Sequence, residues 1–397
     1  MNTNLKKEKN KLIILSLTFI AFFSSFKNVN IYLFGNNQNL IVMLDYFYFI
    51  LVVLVFSIMF FEMLKNKKIN TKIKYFVPLT LWIVTKSALL TLFVSGEYLP
   101  RNLIAGILTM GIFVLGIKNK KSLILMLWAF IIGAFLSALI PLILSPEMIG
   151  YRSGRVDGVE YRGGFWNFPL ISFISTGWLI IALIHLKRNK KTTFINSLFL
   201  ITITIAAFSG LSRSLLLAVS VSVLFYLVLV RKFRVLAIVT VLGGLLLTYI
   251  PILFPFLIEQ YQTRVELEAL SFQDEPRIFI WQSYLNNIPQ FFLFGALGDY
   301  RQFDNLGRGP HSVLLNWLVQ YGIIGFLGFT YFVIGIMGSI RKVRLNFKSQ
   351  SAALAAWLVA YLSLALINQT GFFEASIYTA FGLIIIWGRV TKVYEED

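Results

Sequence analysis

Long apolar runs alternate with short polar stretches along the whole chain, and the runs are continuous rather than alternating residue by residue. They fall at about 12–30, 40–63, 75–95, 102–117, 122–145, 168–186, 193–209, 214–230, 235–257, 323–340, 352–368 and 372–388. About 20 residues of helix cross a hydrocarbon core, and a backbone in lipid must pair its own polar groups, so each run predicts a membrane-spanning helix. A membrane β-strand would instead show segments of about ten residues with strict alternation. The pattern predicts an all-α integral membrane protein of about 12 transmembrane helices. The first run follows Lys6, Lys7, Lys9 and Lys11 and shows no small-residue cleavage site, so it reads as an uncleaved anchor.

Composition agrees with this reading. The chain is 57% hydrophobic with a mean hydropathy of +0.76, and its 14% charged residues compare with about 25% in soluble domains. It contains no cysteine, which excludes disulfides and thiolate chemistry. Neither a repeat nor a low-complexity segment interrupts the bundle, so residues 1–397 read as a single polytopic membrane domain.

Charge sets the expected orientation. Of 36 Lys and Arg, 25 fall in the N-terminus, the even-numbered connections and the C-terminal tail, while 10 fall in the odd-numbered connections and Lys86 lies within a span. Short loops rich in Lys and Arg stay cytoplasmic, so both termini are expected inside the cell, with the odd connections outside. This sorting spreads the net charge of +18 over short connectors and tails, and no nucleic-acid partner is expected. Asp45, Glu62 and Glu374 also lie within the runs and either pair with Lys86 and one another or sit at span edges. An intramembrane charge is a functional candidate, and Lys86 reads as a polar anchor of the bundle.

The two faces differ in kind as well as number. Inside, 19 of 25 basic residues are Lys, whereas outside 9 of 10 are Arg: Arg101, Arg152, Arg155, Arg162, Arg213, Arg264, Arg277, Arg301 and Arg308. Guanidinium is a planar fork suited to bidentate grip on phosphate or carboxylate, so an outward Arg cluster suggests an anionic ligand. The alternative is that these arginines pair with the eleven outward carboxylates or touch lipid phosphates.

Two outward connections are long enough to form a site. Residues 146–167 hold Arg152, Arg155 and Arg162 among glycines and aromatics, ending at Asn167, a mix that either holds an anion while rings stack on sugars or makes glycine turns. Residues 259–311 exceed the length of a mere connector and should carry structure. Asp274, Glu275 and Pro276 form a helix start, placing Arg277 in the first turn near free backbone donors, with Trp281 and Tyr284 on the same face. The apolar stretch Phe291 to Gly298 is too short to cross; it dips into the membrane face or forms a buried plug. The loop closes with Arg308, Gly309, Pro310, His311 and Ser312, and Asn316 follows one turn later. His311 is one of two histidines; imidazole titrates near neutral pH and can take a proton from a hydroxyl, although a lone histidine at a helix start also serves as a plain polar surface residue.

At these residues the sequence resembles the O-antigen ligase and Wzy polymerase superfamily of bacterial polysaccharide assembly. His311 and Ser312, then nine residues, Gly322, two residues and Gly325 are similar to that family's histidine signature ahead of paired glycines. Ser212-Arg213-Ser214 resembles its Ser-Arg element, Arg277 with Trp281 its Arg-then-Trp element, and Gly164 to Pro169 its Asn-rich segment ahead of a span. Two departures stand out: Ser312 occupies a frequent Asn position, and an Asn-Pro-Asn run is reduced to Asn167-Phe168-Pro169. The first 145 residues are similar in hydropathy alone.

The resemblance implies a GT-C-like bundle with a large, partly helical loop before the tenth span. It implies glycosyl transfer from an undecaprenyl diphosphate donor to a sugar hydroxyl at the outer face of the cell membrane. His311, Arg213 and Arg277 would be catalytic, with Arg152, Arg155, Arg162, Asn167, Trp281, Tyr284, Arg308 and Asn316 binding substrate. The implied partners are the lipid-linked oligosaccharide, the bilayer, a flippase and a chain-length regulator. No metal or other cofactor is expected, because Lys27 to Asn39, the first outer loop, contains no acidic residue of the Asp-x-Asp kind. The residues leave polymerase and ligase open. The richness in Lys, Asn and Ile fits an AT-rich genome of a bacterium without lipid A and favours a capsule or exopolysaccharide polymerase. A lipid-linked oligosaccharide transporter is the alternative of a different class, disfavoured because most distinctive polar residues lie on the outer face.

Overall fold

A computed structural model describes residues 3–26, 38–65, 77–93, 100–144, 154–156, 159–161, 167–186, 189–209, 213–235, 237–238, 276–303, 309–346, 348–368 and 374–390. In chain order the helices are α1 (Thr3–Phe26), α2 (Gln38–Lys65), α3 (Val77–Phe93), α4 (Arg101–Gly116) and α5 (Lys120–Leu144). A short antiparallel hairpin, β1 (Gly154–Val156) and β2 (Val159–Tyr161), precedes α6 (Asn167–Leu186), α7 (Lys190–Ser209) and α8 (Arg213–Leu229). Then come α9 (Pro276–Asn286), α10 (Ile288–Phe291), a 3₁₀ turn at Tyr300–Phe303, α11 (Val313–Asn346), α12 (Lys348–Ile367) and α13 (Ala375–Val390).

Among the described residues, five helices are long and apolar enough to cross a membrane, and six shorter apolar helices accompany them. They coincide with eleven of the twelve apolar runs; the run at 235–257 lies almost wholly outside the described residues. The chain is a multi-pass helical membrane protein. Many large apolar side chains, such as Phe61 and Leu92, face outward, as expected where the surrounding solvent is lipid.

The bundle core lies where α13 packs against α4, α11 and α6, and where α12 packs against α6, α8 and α11. Aromatic rings fill it. Phe381 of α13 meets Trp357 and Tyr361 of α12 edge to face at centroid separations of 5.1 and 5.0 Å, and Phe332 of α11 at 4.9 Å. Such pairs add about 0.5–1.5 kcal/mol each beyond their area. Close approach of helices depends on a missing side chain at Gly388, where a Cβ would run into the Ser339 carbonyl of α11.

A smaller core sits apart from the bundle. Ile280 and Tyr284 of α9, Phe291 of α10, Ala296, Phe303 and Val319 of α11 bury one another and form a cap over the start of α11. The loop expected to carry structure does so here, with α9 beginning at Pro276 as the helix-start pattern predicts.

Candidate functional site

The site assembles where four chain segments meet at the N-terminal end of α11. Ser312 is its N-cap: its Oγ accepts the Leu315 N–H at 3.3 Å, satisfying a donor that the first helical turn leaves free, and donates to the Ala365 carbonyl at 3.2 Å. A serine at this position therefore does the capping work open to an asparagine. His311 stands immediately before the cap, half-buried, with φ of +48°. Positive φ is uncommon outside glycine but less so for histidine, and here it turns the chain from the cap into α11.

Three hydrogen bonds tie this corner to the other motifs. Trp281 Nε1 of α9 donates to the Pro310 carbonyl at 2.8 Å, joining the Arg277-Trp281 element to the residue before His311. The Val313 N–H donates to the Asn368 carbonyl at the end of α12 at 3.2 Å. The Asn368 side-chain amide donates to Ser214 Oγ, also at 3.2 Å, next to Arg213 at the start of α8. Three helix N-termini, those of α8, α9 and α11, are thus drawn to one locality, and helix N-termini favour anions.

The remaining expected residues divide clearly. Arg277 lies half-buried in the first turn of α9, and Tyr284 is buried with its hydroxyl donating to the Tyr300 carbonyl at 3.2 Å. Tyr284 is thereby a cap-core residue, turned inward with Phe303 rather than outward. Asn316 is buried at 1% exposure, and its Oδ1 accepts from Gln320 Nε2 at 3.3 Å. Asn167 opens α6 and Arg155 stands opposite Glu160 in the hairpin register. Arg152, Arg162, Arg308 and the acidic pair Asp274 and Glu275 lie outside the described residues. Among the described residues no three His, Asp or Glu side chains gather as metal ligands would.

One feature went unanticipated in the sequence: α11 is broken at Gly322. There φ is +67° and ψ is −171°, and the turn gives up its regular hydrogen bonds. Four backbone groups around the break are bonded to other segments. The Val319 carbonyl accepts the Ala296 N–H at 2.7 Å, the Gln320 carbonyl accepts from Lys86 Nζ, and the Tyr321 carbonyl accepts from Trp82 Nε1 at 2.8 Å. The Ile323 N–H goes to the Phe292 carbonyl at 2.6 Å. A Cβ at Gly322 would overlap the Leu293 carbonyl. Irregular backbone at membrane depth survives only when protein re-satisfies it in this way.

This break bears on two of the expectations. Lys86, 5% exposed, takes a backbone carbonyl, with the Tyr321 ring centroid 5.5 Å from its nitrogen, so it is an anchor of the broken helix through a carbonyl rather than a carboxylate. In the Phe291 to Gly298 stretch Gly295 and Ala296 are buried against α11, while Phe292, Leu293, Phe294 and Leu297 are exposed. Asn368, Trp82 and Gln320 were not singled out in the sequence. An Asn at the end of an apolar run was the only available signal for the first, and Trp82 one turn before Lys86 for the second.

Beside the break, Arg301 pairs with Asp299 through its Nε at 3.0 and 3.1 Å and a terminal nitrogen at 2.8 Å. The guanidinium holds the Asp299 carboxyl below the ordinary carboxylate range, and burial pushes the neighbouring Tyr300 hydroxyl up.

The fold and this corner define a multi-pass helical membrane protein with a helical cap at the break of a long helix. Residues 198–330 match the family model described as O-antigen ligase. That stretch is about a third of the chain, runs from α7 into α11, and takes in Arg213, Arg277, Trp281, His311, Gly322 and Gly325. No curated protein matches the chain.

Proposed function

We propose that this chain is a membrane glycosyltransferase that polymerises undecaprenyl-diphosphate-linked oligosaccharide repeat units into capsular or exopolysaccharide, without a metal. The supporting observation is the hydrogen-bonded convergence of the helix starts bearing Arg213, Arg277 and His311, all within the stretch similar to O-antigen ligases. The protein sits in the cell membrane with both termini cytoplasmic and this corner on the outer face, the orientation favoured by the distribution of Lys and Arg.

In the reaction the acceptor hydroxyl attacks the anomeric carbon of the lipid-linked sugar. The bond from that carbon to the diphosphate oxygen breaks, and its electron pair leaves with the diphosphate. His311 takes the hydroxyl proton as the new glycosidic bond forms. Arg213 and Arg277 oppose the charge that grows on the diphosphate, aided by the helix N-termini on which they stand. Preorganised charge of this kind commonly contributes several kcal/mol. Arg152, Arg155, Arg162, Asn167 and Arg308 would hold flanking sugars or phosphate.

One observation favours a different class. A broken helix braced by a buried lysine is the kind of feature that transporters use, so flipping of the same lipid-linked sugars is the second reading. A deletion strain separates the possibilities by gel and lipid extraction. Single-repeat products mark a lost polymerase, long polymer stranded on the carrier marks a lost ligase, and lipid-linked units held on the cytoplasmic leaflet mark a lost transporter. Complementation with His311→Ala, Arg213→Ala or Arg277→Ala is expected to yield no polymer at normal protein level. Polymer of unchanged length from any one variant removes that residue from the mechanism.

A further inference from the structure

A cleft of about 470 Å³ opens between α3 and the cap, beside the break in α11. Among the described residues its ionisable walls are Lys86, Asp299 and Arg301, with Tyr300, Gln320 and Tyr321 completing much of the lining. Asp299 and Arg301 are committed to each other. Lys86 therefore sets the net charge of these walls at one positive. An ammonium carries three donors, and the Gln320 carbonyl takes only one of them. A carbonyl offers a dipole and no counter-charge, whereas an ion withdrawn from water is stabilised chiefly by an opposite charge.

The rest of the wall is suited to a sugar. Tyr300 and Tyr321 bring aromatic rings, Gln320 an amide, and Ser87 a hydroxyl. The volume lies in the range of ordinary small-molecule pockets. Gln320 donates to Asn316, one turn nearer the His311 corner, so the cleft and that corner are linked along α11. Gln320 lies seven residues along α11 from its first residue, Val313, roughly 10 Å of helix rise.

We propose that this cleft binds a saccharide unit carrying one carboxylate, seated on Lys86, as a recognition subsite for an acidic sugar of the glycan. The carboxylate receives the remaining ammonium donors, and the tyrosine rings border the sugar. This assignment rests on reading the neighbouring corner as glycan-handling, but its test needs no turnover and so can fail separately from that reading.

The full chain in lipid nanodiscs is titrated with a disaccharide ending in glucuronate, with its glucose counterpart, and with glycerol phosphate, using saturation-transfer NMR to read binding. The acidic disaccharide is expected to bind about tenfold more tightly than the neutral one. Lys86→Gln should abolish that preference. Because Lys86 also braces the broken helix, a second variant keeps it: Leu90→Glu, four residues along α3 at the cleft wall, offers Lys86 an internal carboxylate and should abolish the preference as well. Equal affinity for the charged and neutral disaccharides in the unaltered protein overturns the proposal, as does binding of neither. A preference that survives in folded Leu90→Glu protein overturns it too. Lysine-dependent binding of glycerol phosphate without binding of glucuronate marks a phosphate site and overturns the sugar assignment. If the glucuronate probe fails while His311→Ala still stops polymer formation, the cleft proposal falls and the polymerase reading stands.

Discussion

The helix bundle and the cap over α11 both bury aromatic side chains, but they hold them by different means. In the bundle, rings such as Tyr361, Phe381 and Phe332 interlock between helices whose backbones are already paired internally, and Trp357 packs among them while adding one bond to the Ser175 carbonyl. In the cap, side chains reach the backbone of another segment: Trp281 to Pro310, Ser283 to Phe303, Tyr284 to Tyr300. The cap also completes the broken helix through Ala296 and Phe292. A bundle of this kind loses stability by losing packing, whereas the cap loses position by losing single hydrogen bonds. The residues proposed to do chemistry stand at the cap, where position matters most.

The largest effect is expected in the bundle. Trp357 is fully buried, and its indole N–H donates to the Ser175 carbonyl at 3.1 Å. Trp357→Ala should cost about 3–5 kcal/mol through the cavity it leaves. Unfolding of the nanodisc-embedded protein would show it, with polymer output falling only as far as the amount of folded protein falls. A small stability change there would mean that the bundle is not held by packing.

Next comes the break. Gly322→Ala places a Cβ against the Leu293 carbonyl at a φ that alanine rarely adopts. Overpacking of this kind costs about 1–3 kcal/mol. Activity should fall further than stability, because relief of the overlap moves the Phe292 and Ala296 contacts that seat the cap. Equal loss of both would place the break in the same class as the bundle.

These two regions were unequally legible in the sequence. Hydropathy reveals a helix that must pair its own backbone in lipid, so eleven apolar runs correspond to helices. The start of α9 was legible for a local reason too, since Pro276 fits only the first turn. The tenth run was read from 323, where continuous hydrophobicity begins, and the second half of α11 starts there, just past the break at Gly322. The first half, from Val313, was not read as helix because Asn316 and Gln320 interrupt the pattern. The break itself was hidden because its partners are remote: Lys86 and Trp82 lie 234 and 239 residues away from the carbonyls they satisfy. Asn368 escaped for the same reason, bridging α12 to residues 214 and 313. Local patterns carry helices and caps, while the bonds that bring His311 near Ser214 and Trp281 are long-range.

A smaller effect sharpens the contrast. Trp281→Phe keeps most of the ring and removes one donor, leaving the buried Pro310 carbonyl without its indole partner. The cost to stability is about 1–3 kcal/mol at most, the range for an unsatisfied buried acceptor. Polymer formation should drop several-fold, since the residue before His311 is no longer fixed. Trp281→Ala adds lost packing, so a similar activity in both variants would identify the hydrogen bond as the element that positions the corner.

The smallest effect belongs to the ion pair on the cap. Arg301 is exposed, so the pair with Asp299 is worth little at neutral pH. Its sign is nevertheless defined. The hydrogen bond from Arg301 lowers the Asp299 pKa in the folded state, so the folded protein binds this proton less readily than the unfolded chain does. The contribution is present above the ordinary carboxylate range and fades as pH falls through the depressed value. Cap stability measured by hydrogen exchange of α9 amides should therefore decline slightly more steeply on the acid side in the unaltered protein than in Asp299→Asn. The exchange of α12 amides in the bundle should not distinguish the two. A difference in α12 as large as that in α9 would show that cap and bundle open as one unit, and the separation drawn between them would fail.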